Sequence, residues 1–336
     1  MRAVRADSLA FLAKPGMLPE KGNVLSGEIP PGSILHVTAA PPFMATLSET
    51  LLAVDTFVGR LLSDDRVSII DNRSDLEIKD DRIKIILGLQ HAPVDLLSDP
   101  SGFDDLSRRS IRVMGLAYNF ITPYGSGFLA EGGLTAEGRH LLRKMADNGL
   151  IADVSHANFQ TARETLQCIR DEKLPIAPMA SHSGIFAVYP HLRNLQGDTL
   201  ELLHELDGYV GIPLITFFLS SKELAREFPI ELLAHLASAS SYAGALNVGI
   251  GSDCFHGDMR IEESKAEFER MKEMLKSDGK FGEYWPDRPS ELITGGSRLF
   301  EAVEKMLKKS GAIKQDDVDA LLGGNFARYL ERALPE

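Results

Sequence analysis

The sequence feature that most constrains this chain is a repeated alternation of short apolar runs with longer amphipathic stretches. Most of the runs are continuously apolar, which is typical of parallel strands that are covered on both faces. The alternation therefore predicts a parallel sheet wrapped by helices. Seven runs are predicted strands, namely Ser33–Thr38, Ile83–Leu89, Ile111–Ala117, Leu150–Val154, Ile176–Ala180, Tyr209–Ile215 and Leu246–Gly251.

An eighth strand would complete a (β/α)8 barrel, and the sequence offers Met1–Ala6 and Val67–Ile70. Too few residues separate Val67–Ile70 from Ile83 for a crossover helix, so we assign Met1–Ala6 to the barrel and Val67–Ile70 to its periphery. The predicted fold is a single TIM-type barrel over residues 1–336 with extra C-terminal helices. A doubly wound open sheet is the alternative, but no Gly-rich phosphate-binding turn supports it.

The amphipathic stretches between and after the strands are predicted helices. Those within the barrel are Thr46–Leu62, Thr135–Asn148, Asn158–Arg170, Thr199–Leu206 and Pro229–Tyr242. Those of the C-terminal part are Ser264–Lys276, Gly296–Lys309 and Lys314–Leu330. Thr135 is a predicted N-cap, because its hydroxyl can accept a hydrogen bond from the first turn.

Composition excludes several classes of partner. The formal net charge is −12, and such an acidic surface repels nucleic acid and anionic membranes. Only two cysteines are present, so no disulfide framework is implied and a cytoplasmic location is expected. No apolar stretch reaches about 18 residues, so no membrane-spanning helix is expected.

Three short motifs place chemically active side chains at predicted strand ends. Asp153-Val-Ser-His156 follows the fifth strand, Ser181-His182-Ser183 the sixth and Gly251-Ser-Asp253 the eighth. Side chains at these ends share one mouth in a barrel. A lone histidine there is more often a hydrogen-bonded loop residue than a ligand. Two at equivalent positions beside Asp253 favour a divalent metal site in which the aspartate moves the proton of a metal-activated water. The other strand-end histidines, such as His91, are expected to be structural or solvated.

These strand-end motifs belong to a longer ordered series, namely Gly115-Leu-Ala-Tyr-Asn119, Thr122-Pro-Tyr-Gly-Ser-Gly127, Gly133-Leu-Thr-Ala-Glu-Gly138, Leu150-Ile-Ala-Asp-Val-Ser-His156, Ala180-Ser-His-Ser183, His191-Leu-Arg-Asn194, Val248-Gly-Ile-Gly-Ser-Asp253 and Gly323-Gly-Asn-Phe326. In order and spacing the series resembles the renal (membrane) dipeptidase family from about Ile83 to Leu330. The resemblance implies a barrel with two zinc ions and a bridging water that hydrolyses dipeptides. It also implies a homodimer.

The resemblance assigns roles to individual residues. His156 and His182 match the two histidines that hold one zinc, and Asp253 matches the acid/base aspartate. Arg193 matches the arginine that pairs with the substrate carboxylate. Tyr118 stands where the family has a substrate-facing histidine, and with the adjacent Asn119 it is a predicted substrate contact.

Besides Tyr118, two positions depart from the family pattern. The first-strand His-x-Asp motif aligns best with Arg5-Ala-Asp7, and the bridging glutamate aligns with Gln90. A guanidinium cannot bind a metal cation, and an amide brings no charge to offset two dications. Asp7 and Gln90 are therefore the weakest of the candidate metal ligands.

Charge counting favours one metal ion, with zinc as the expected metal, over two. The leading hypothesis is a metal-dependent hydrolase that cleaves the amide bond of a dipeptide or a similar small carboxylate-bearing substrate. One alternative is a metal-free homologue that binds a small molecule. Another is an amidohydrolase with a different substrate.

Overall fold

The computed structural model describes residues 4–12, 25, 29–40, 45–220, 228–256, 299–311 and 313–336. The strands are β1 Ala6–Phe11, β2 Ile34–Thr38, β3 Val67–Ile69, β4 Ile83–Leu89, β5 Ile111–Gly115, β6 Ile151–Asp153, β7 Met179–Ala180, β8 Tyr209–Ile212, β9 Val248–Ile250 and β10 Cys254–Phe255. All of their pairings are parallel, in the order β1, β2, β4, β5, β6, β7, β8 and β9. Because β10 continues the segment of β9 and pairs with β1, the sheet closes into the predicted eight-stranded barrel.

Helices surround the sheet, and the five predicted within the barrel are present together with three shorter ones that were not predicted. They are α1 Leu47–Leu61, α2 Arg73–Glu77, α3 Gly102–Ser107, α4 Ala136–Asp147, α5 Phe159–Asp171, α6 Gly197–Glu205, α7 Thr216–Leu219, α8 Phe228–Ala243, α9 Leu299–Lys309, α10 Gln315–Asp319 and α11 Asn325–Ala333. Thr135 caps α4, since its hydroxyl accepts a hydrogen bond from the Gly138 N–H. The predicted helix Ser264–Lys276 lies outside the described residues. The predicted helix Lys314–Leu330 is not continuous, because the backbone of Gly323 is non-helical and separates α10 from α11.

The first strand begins later than the sequence suggested. It runs over Ala6–Phe11, whereas we predicted Met1–Ala6. Asp7 and Ser8 made this segment look unlike a buried strand, but both side chains have hydrogen-bond partners on or just after β7 and β9. The Ser8 hydroxyl donates to the carbonyl oxygens of Ser181 and Ile250 at 2.7 and 3.0 Å. Polar residues of this kind are tolerated in a buried strand only when they are hydrogen-bonded.

The later start places Arg5 before the strand rather than at its end. Its guanidinium pairs with Glu304 on α9 at 2.9 Å and with Asp319 on α10 at 3.0 Å. Arg5 therefore fastens the start of the barrel to the C-terminal helices.

Val67–Ile69 is peripheral, as predicted, because it pairs only with β4 and stands outside the ring of eight. The connection from β3 to β4 nevertheless contains a short helix, α2, which the sequence analysis did not predict. Asn72 and Asp75 form a capping box at its start.

The C-terminal helix α11 closes the end of the barrel opposite the predicted mouth. Phe326 and Tyr329 belong to one buried cluster with Ala6, Met179 and Tyr209. The Tyr329 hydroxyl donates to the carbonyl oxygen of Ala177 at 2.7 Å, just before β7. With this end plugged, the carboxyl ends of the strands form the open end. Within the described ranges, no helix has both the length and the apolar character needed to cross a membrane.

Candidate functional site

Two imidazoles converge at the carboxyl ends of β6 and β7. The Nε2 atoms of His156 and His182 lie 2.9 Å apart, and their ring centroids are 4.8 Å apart. Both rings are buried, with exposures of 8% and 0%. The structure thus brings together the two histidines that the sequence singled out as candidate ligands.

The hydrogen bonds at Nδ1 decide what the two Nε2 atoms present to each other. His156 donates its Nδ1–H to Asn119 Oδ1 at 2.7 Å. His182 Nδ1 lies 2.7 Å from Ser181 Oγ and donates to it. Burial, reinforced by the charge of Arg193, holds the pKa of both imidazoles well below the usual range, so both rings are neutral near pH 7. With Nδ1 protonated in both neutral rings, each Nε2 carries a lone pair, so an approach of 2.9 Å requires a proton or a cation shared between the two atoms.

Such a pair of lone pairs suits a single shared cation. Histidines that bind metals normally donate their second ring N–H to a fixed acceptor, as both rings do here. In the described part of the chain, however, no group of three or more His, Cys, Asp or Glu side chains converges as a metal-binding set. The arrangement fits one divalent ion held by two imidazoles, with its other positions open to water or substrate, and these residues provide no ligand set for a second ion.

The backbone at the mouth adopts a costly conformation at three site residues. Asn119, His156 and Asp253 have φ angles of 56°, 61° and 58°. Non-glycine residues rarely occupy this left-handed region, and such residues cluster at active sites and ligand clamps. The three residues lie shortly after the ends of β5, β6 and β9, at the open end of the barrel.

Asp253 and Arg193 supply the charges of the site. Asp253 is partly exposed at the mouth, yet enclosure by the surrounding protein raises the pKa of its carboxyl to about 7. Arg193 counteracts this shift and the carboxylate of Asp7 adds to it. A carboxyl that titrates near neutral pH can both accept and return a proton.

Arg193 is held between aromatic rings. Its Cζ lies 5.7 Å from the ring centroid of Phe128 and 5.3 Å from that of Phe218. Nη2 donates to the carbonyl oxygen of His182 at 3.3 Å, and Nε has no hydrogen-bond partner among the described residues. A buried guanidinium with donor capacity to spare is suited to binding an anion such as a carboxylate.

Gln90 follows β4 and is 7% exposed, yet neither its Oε1 nor its Nε2 has a hydrogen-bond partner among the described residues. The hydroxyl of Thr38, at the end of the neighbouring β2, is likewise buried without a partner. Buried polar atoms are normally paired, so these groups are able to form hydrogen bonds with water or a ligand. They provide uncharged hydrogen-bonding capacity at the same end of the barrel.

Asp7 does not join the imidazole pair. Its carboxylate accepts hydrogen bonds from the Ser252 N–H at 2.7 Å, from the Ser252 hydroxyl and from His256 Nε2 at 2.8 Å. The His256 ring lies 5.5 Å from the ring of Phe300 on the outer helix α9. The carboxylate that the sequence offered as a ligand is thus occupied in joining the first strand to the last.

Sequence reasoning missed the contribution of two neighbouring histidines. His91, expected to be structural or solvated, is buried and close enough to His156 to lower its pKa. His36 is buried inside the barrel, where its Nδ1 donates to the Ser8 carbonyl oxygen at 2.6 Å, and its charge would lower the pKa of His182. The signal for His91 was its place directly after the third barrel strand.

The chain is therefore a (β/α)8 barrel with two paired imidazoles at its open end. Residues 34–279 match the model of the membrane dipeptidase family, peptidase family M19. This match covers more than half of the chain, which therefore belongs to that family.

Individual relatives agree with the match. The chain is 30% identical to dipeptidase aclJ of Aspergillus oryzae over 203 residues, which cover 60% of this chain but only 39% of the fungal protein. The fold is that of an amidohydrolase from Pseudomonas aeruginosa, with a TM-score of 0.73, 18% identity and coverage of 99% and 97% of the two chains. It is also that of a metallo peptidase from Rhodobacter sphaeroides, with a TM-score of 0.68, 18% identity and coverage of 98% and 99%.

Proposed function

We propose that this chain hydrolyses the amide bond of a dipeptide or of a similarly small amide that carries a free carboxylate. The observation that carries the proposal is the convergence of the His156 and His182 Nε2 atoms at the open end of the barrel, where the charge of Arg193 acts on both rings and on Asp253. Membership of the dipeptidase family supports it. So does the neighbouring Rhodobacter structure, which is liganded with a phosphinate mimic of the dipeptide L-Ala-D-Ala.

His156 and His182 would hold one divalent ion, with zinc as the expected metal because imidazole suits it. When bound, such an ion supplies Lewis acidity and makes water a nucleophile near neutral pH. Asn119 and Ser181 keep the two rings in the tautomer that leaves Nε2 free.

The protein's other side chains handle the proton and the substrate. The Asp253 carboxylate takes the proton of the attacking water and returns it to the leaving amine, for which a pKa near 7 is suitable. Arg193 pairs with the substrate carboxylate through its planar fork of donors. Tyr118 and Gln90 border the space where the rest of the substrate lies.

A metal-free binding protein is the second candidate. It is favoured by the donor set, because only two neutral imidazoles converge in the described residues and the nearby guanidinium of Arg193 repels a cation. A small carboxylate-bearing molecule would still find Arg193 and the uncharged groups of Gln90 and Thr38 in this pocket.

Metal content and turnover separate the two candidates. Protein purified without chelator should contain about one metal ion per chain and hydrolyse members of a dipeptide panel. His182→Ala should lose both the metal and the turnover. His140→Ala, at an exposed histidine on α4, is the matched control and should keep both. Equal turnover in His182→Ala would disprove the site, and absence of metal after zinc soaking would favour the binding protein.

A further inference from the structure

Asp153, the last residue of β6, holds the segment that delivers His182. Its Oδ1 accepts hydrogen bonds from the backbone N–H groups of Ser155 and Ser181 at 2.9 and 3.0 Å. Its Oδ2 accepts the Ser181 hydroxyl at 2.5 Å. Asp153 is 6% exposed and Ser181 is fully buried, so these bonds form away from bulk water.

The direction of these bonds fixes the proton on His182. The hydroxyl of Ser181 has one proton, which it donates to the Asp153 carboxylate. Ser181 Oγ therefore acts as an acceptor toward His182 Nδ1, which must carry a proton. A carboxylate, a hydroxyl and an imidazole follow one another in a single chain of hydrogen bonds.

We propose that Asp153 is a positioning residue for His182 and acts through the Ser181 hydroxyl. The relay holds the ring in the Nδ1–H tautomer, orients it toward His156 and makes its Nε2 a stronger electron donor. Acceptors behind a metal-binding histidine have these effects in general. This inference deepens the proposed function, since the atom it prepares is the one that would bind the metal.

The two imidazoles are supported unequally. His156 Nδ1 donates to the neutral amide of Asn119, whereas His182 is backed by a full negative charge one hydroxyl away. Hydrogen bonds that involve an ionised group are stronger than neutral ones. Breaking the support of His182 should therefore weaken cation binding more than breaking that of His156.

The barrel contains a second copy of the same clamp, which provides a control. Asp7 Oδ1 accepts the N–H groups of Leu9 and Ser252 at 3.1 and 2.7 Å, and its Oδ2 accepts the Ser252 hydroxyl. The residue that follows Ser252 is Asp253, and the imidazole at this clamp, His256, bonds directly to Asp7 Oδ2, so no relay runs from the carboxylate through a serine hydroxyl to a histidine ring. Asp7→Asn therefore reproduces the structural disturbance of Asp153→Asn without touching the relay.

Two measurements test the relay. Nitrogen NMR of metal-free protein labelled at histidine reports which ring nitrogen of His182 carries the proton. Zinc titration against a competing chelator reports the affinity of the site. The variants are Ser181→Ala, which removes only the hydroxyl link, together with Asp153→Asn and Asp7→Asn.

We expect the wild-type His182 to be protonated at Nδ1 and the Ser181→Ala ring to populate both tautomers. Zinc affinity should fall about tenfold or more in Ser181→Ala and Asp153→Asn and stay close to wild type in Asp7→Asn. An unchanged tautomer in Ser181→Ala overturns the proposal, and so does an equal loss of affinity in Asp7→Asn. If Asp153→Asn does not fold, Ser181→Ala decides alone. If the wild type binds no zinc, the metal-dependent function fails while the tautomer measurement still decides the relay.

Discussion

The ring of Tyr118 stacks on the ring of His156, with the centroids 4.1 Å apart and the planes inclined by 30°. Since Asn119 holds the Nδ1 side of the same imidazole, two consecutive residues after β5 fix both its position and its rotation. The orientation of His156 is thus set by packing and hydrogen bonding before any ligand arrives.

Removal of this stacked ring should loosen the candidate metal site. We expect Tyr118→Ala to lower zinc affinity several-fold, because His156 loses the surface that holds it, whereas Tyr118→Phe should retain the affinity. Zinc titration of the two variants against a competing chelator measures the difference. A loss of affinity in Tyr118→Phe equal to that in Tyr118→Ala would mean that the hydroxyl, not the stacked ring, is what matters.

Arg193 should determine how tightly carboxylate-bearing substrates bind. Loss of a charged hydrogen-bond partner costs about 1.5–3 kcal/mol, so Arg193→Ala should raise KM for a dipeptide roughly tenfold or more. Arg193→Lys keeps the charge but loses the planar fork, and we expect an intermediate KM. Steady-state kinetics should compare each dipeptide with its C-terminal amide. An equal rise in KM for both substrates would mean that Arg193 does not bind the substrate carboxylate.

Asp253 should make the stability of the metal-free protein depend on pH. Folding raises the pKa of this carboxyl from 3.8 to about 7, so its ionisation is harder in the folded than in the unfolded state. The unfolded state loses this proton first, and the folded state becomes progressively less stable as pH rises from about 4 to about 7. The penalty is then fully present above pH 7.

Asp253→Asn removes that penalty. The variant should have a higher free energy of unfolding than the wild type at pH 8, with the gain disappearing toward pH 4, as measured by denaturant titration at both values. A gain of equal size at the two pH values would show that packing, not ionisation, is responsible. Hydrolysis should be lost in Asp253→Asn at every pH.

Gln90 offers a way to add charge to the site. We expect Gln90→Glu to raise zinc affinity about tenfold, since a carboxylate supplies the negative charge that the two imidazoles lack. Gln90→Met, of similar size and uncharged, is the control and should leave the affinity near wild type. Zinc titration and metal analysis of both variants check this. Equal affinity in Gln90→Glu and Gln90→Met would place Gln90 away from the cation.

Sequence patterns predicted the barrel because they depend on features that recur along the whole chain. Seven continuous apolar runs correspond to seven of its strands, and the helix that starts at Thr135 was read from its N-cap. The first strand was predicted too early in the chain because Asp7 and Ser8 are polar. Their partners lie on or just after the sixth and eighth strands of the barrel, so no local pattern could show that these groups are satisfied.

Part of the candidate site could also be predicted from the sequence, because it depends on the positions of the strands. His156, His182 and Asp253 follow their strands at short fixed intervals, so the topology alone brings them to one end. The function of Asp153 depends on the Ser181 hydroxyl of the next strand, and that pairing requires the register of β6 and β7. The stacking of Tyr118 on His156 likewise follows from the three-dimensional path of the loop.

The positive φ angles of Asn119, His156 and Asp253 have a consequence for engineering. Asparagine, histidine and aspartate tolerate this backbone region better than most residues with a side chain, whereas a β-branched residue would be strained there. A laboratory library built around this pocket should therefore leave valine, isoleucine and threonine out at these three positions, because such variants would lose stability through the backbone whatever they do to the chemistry.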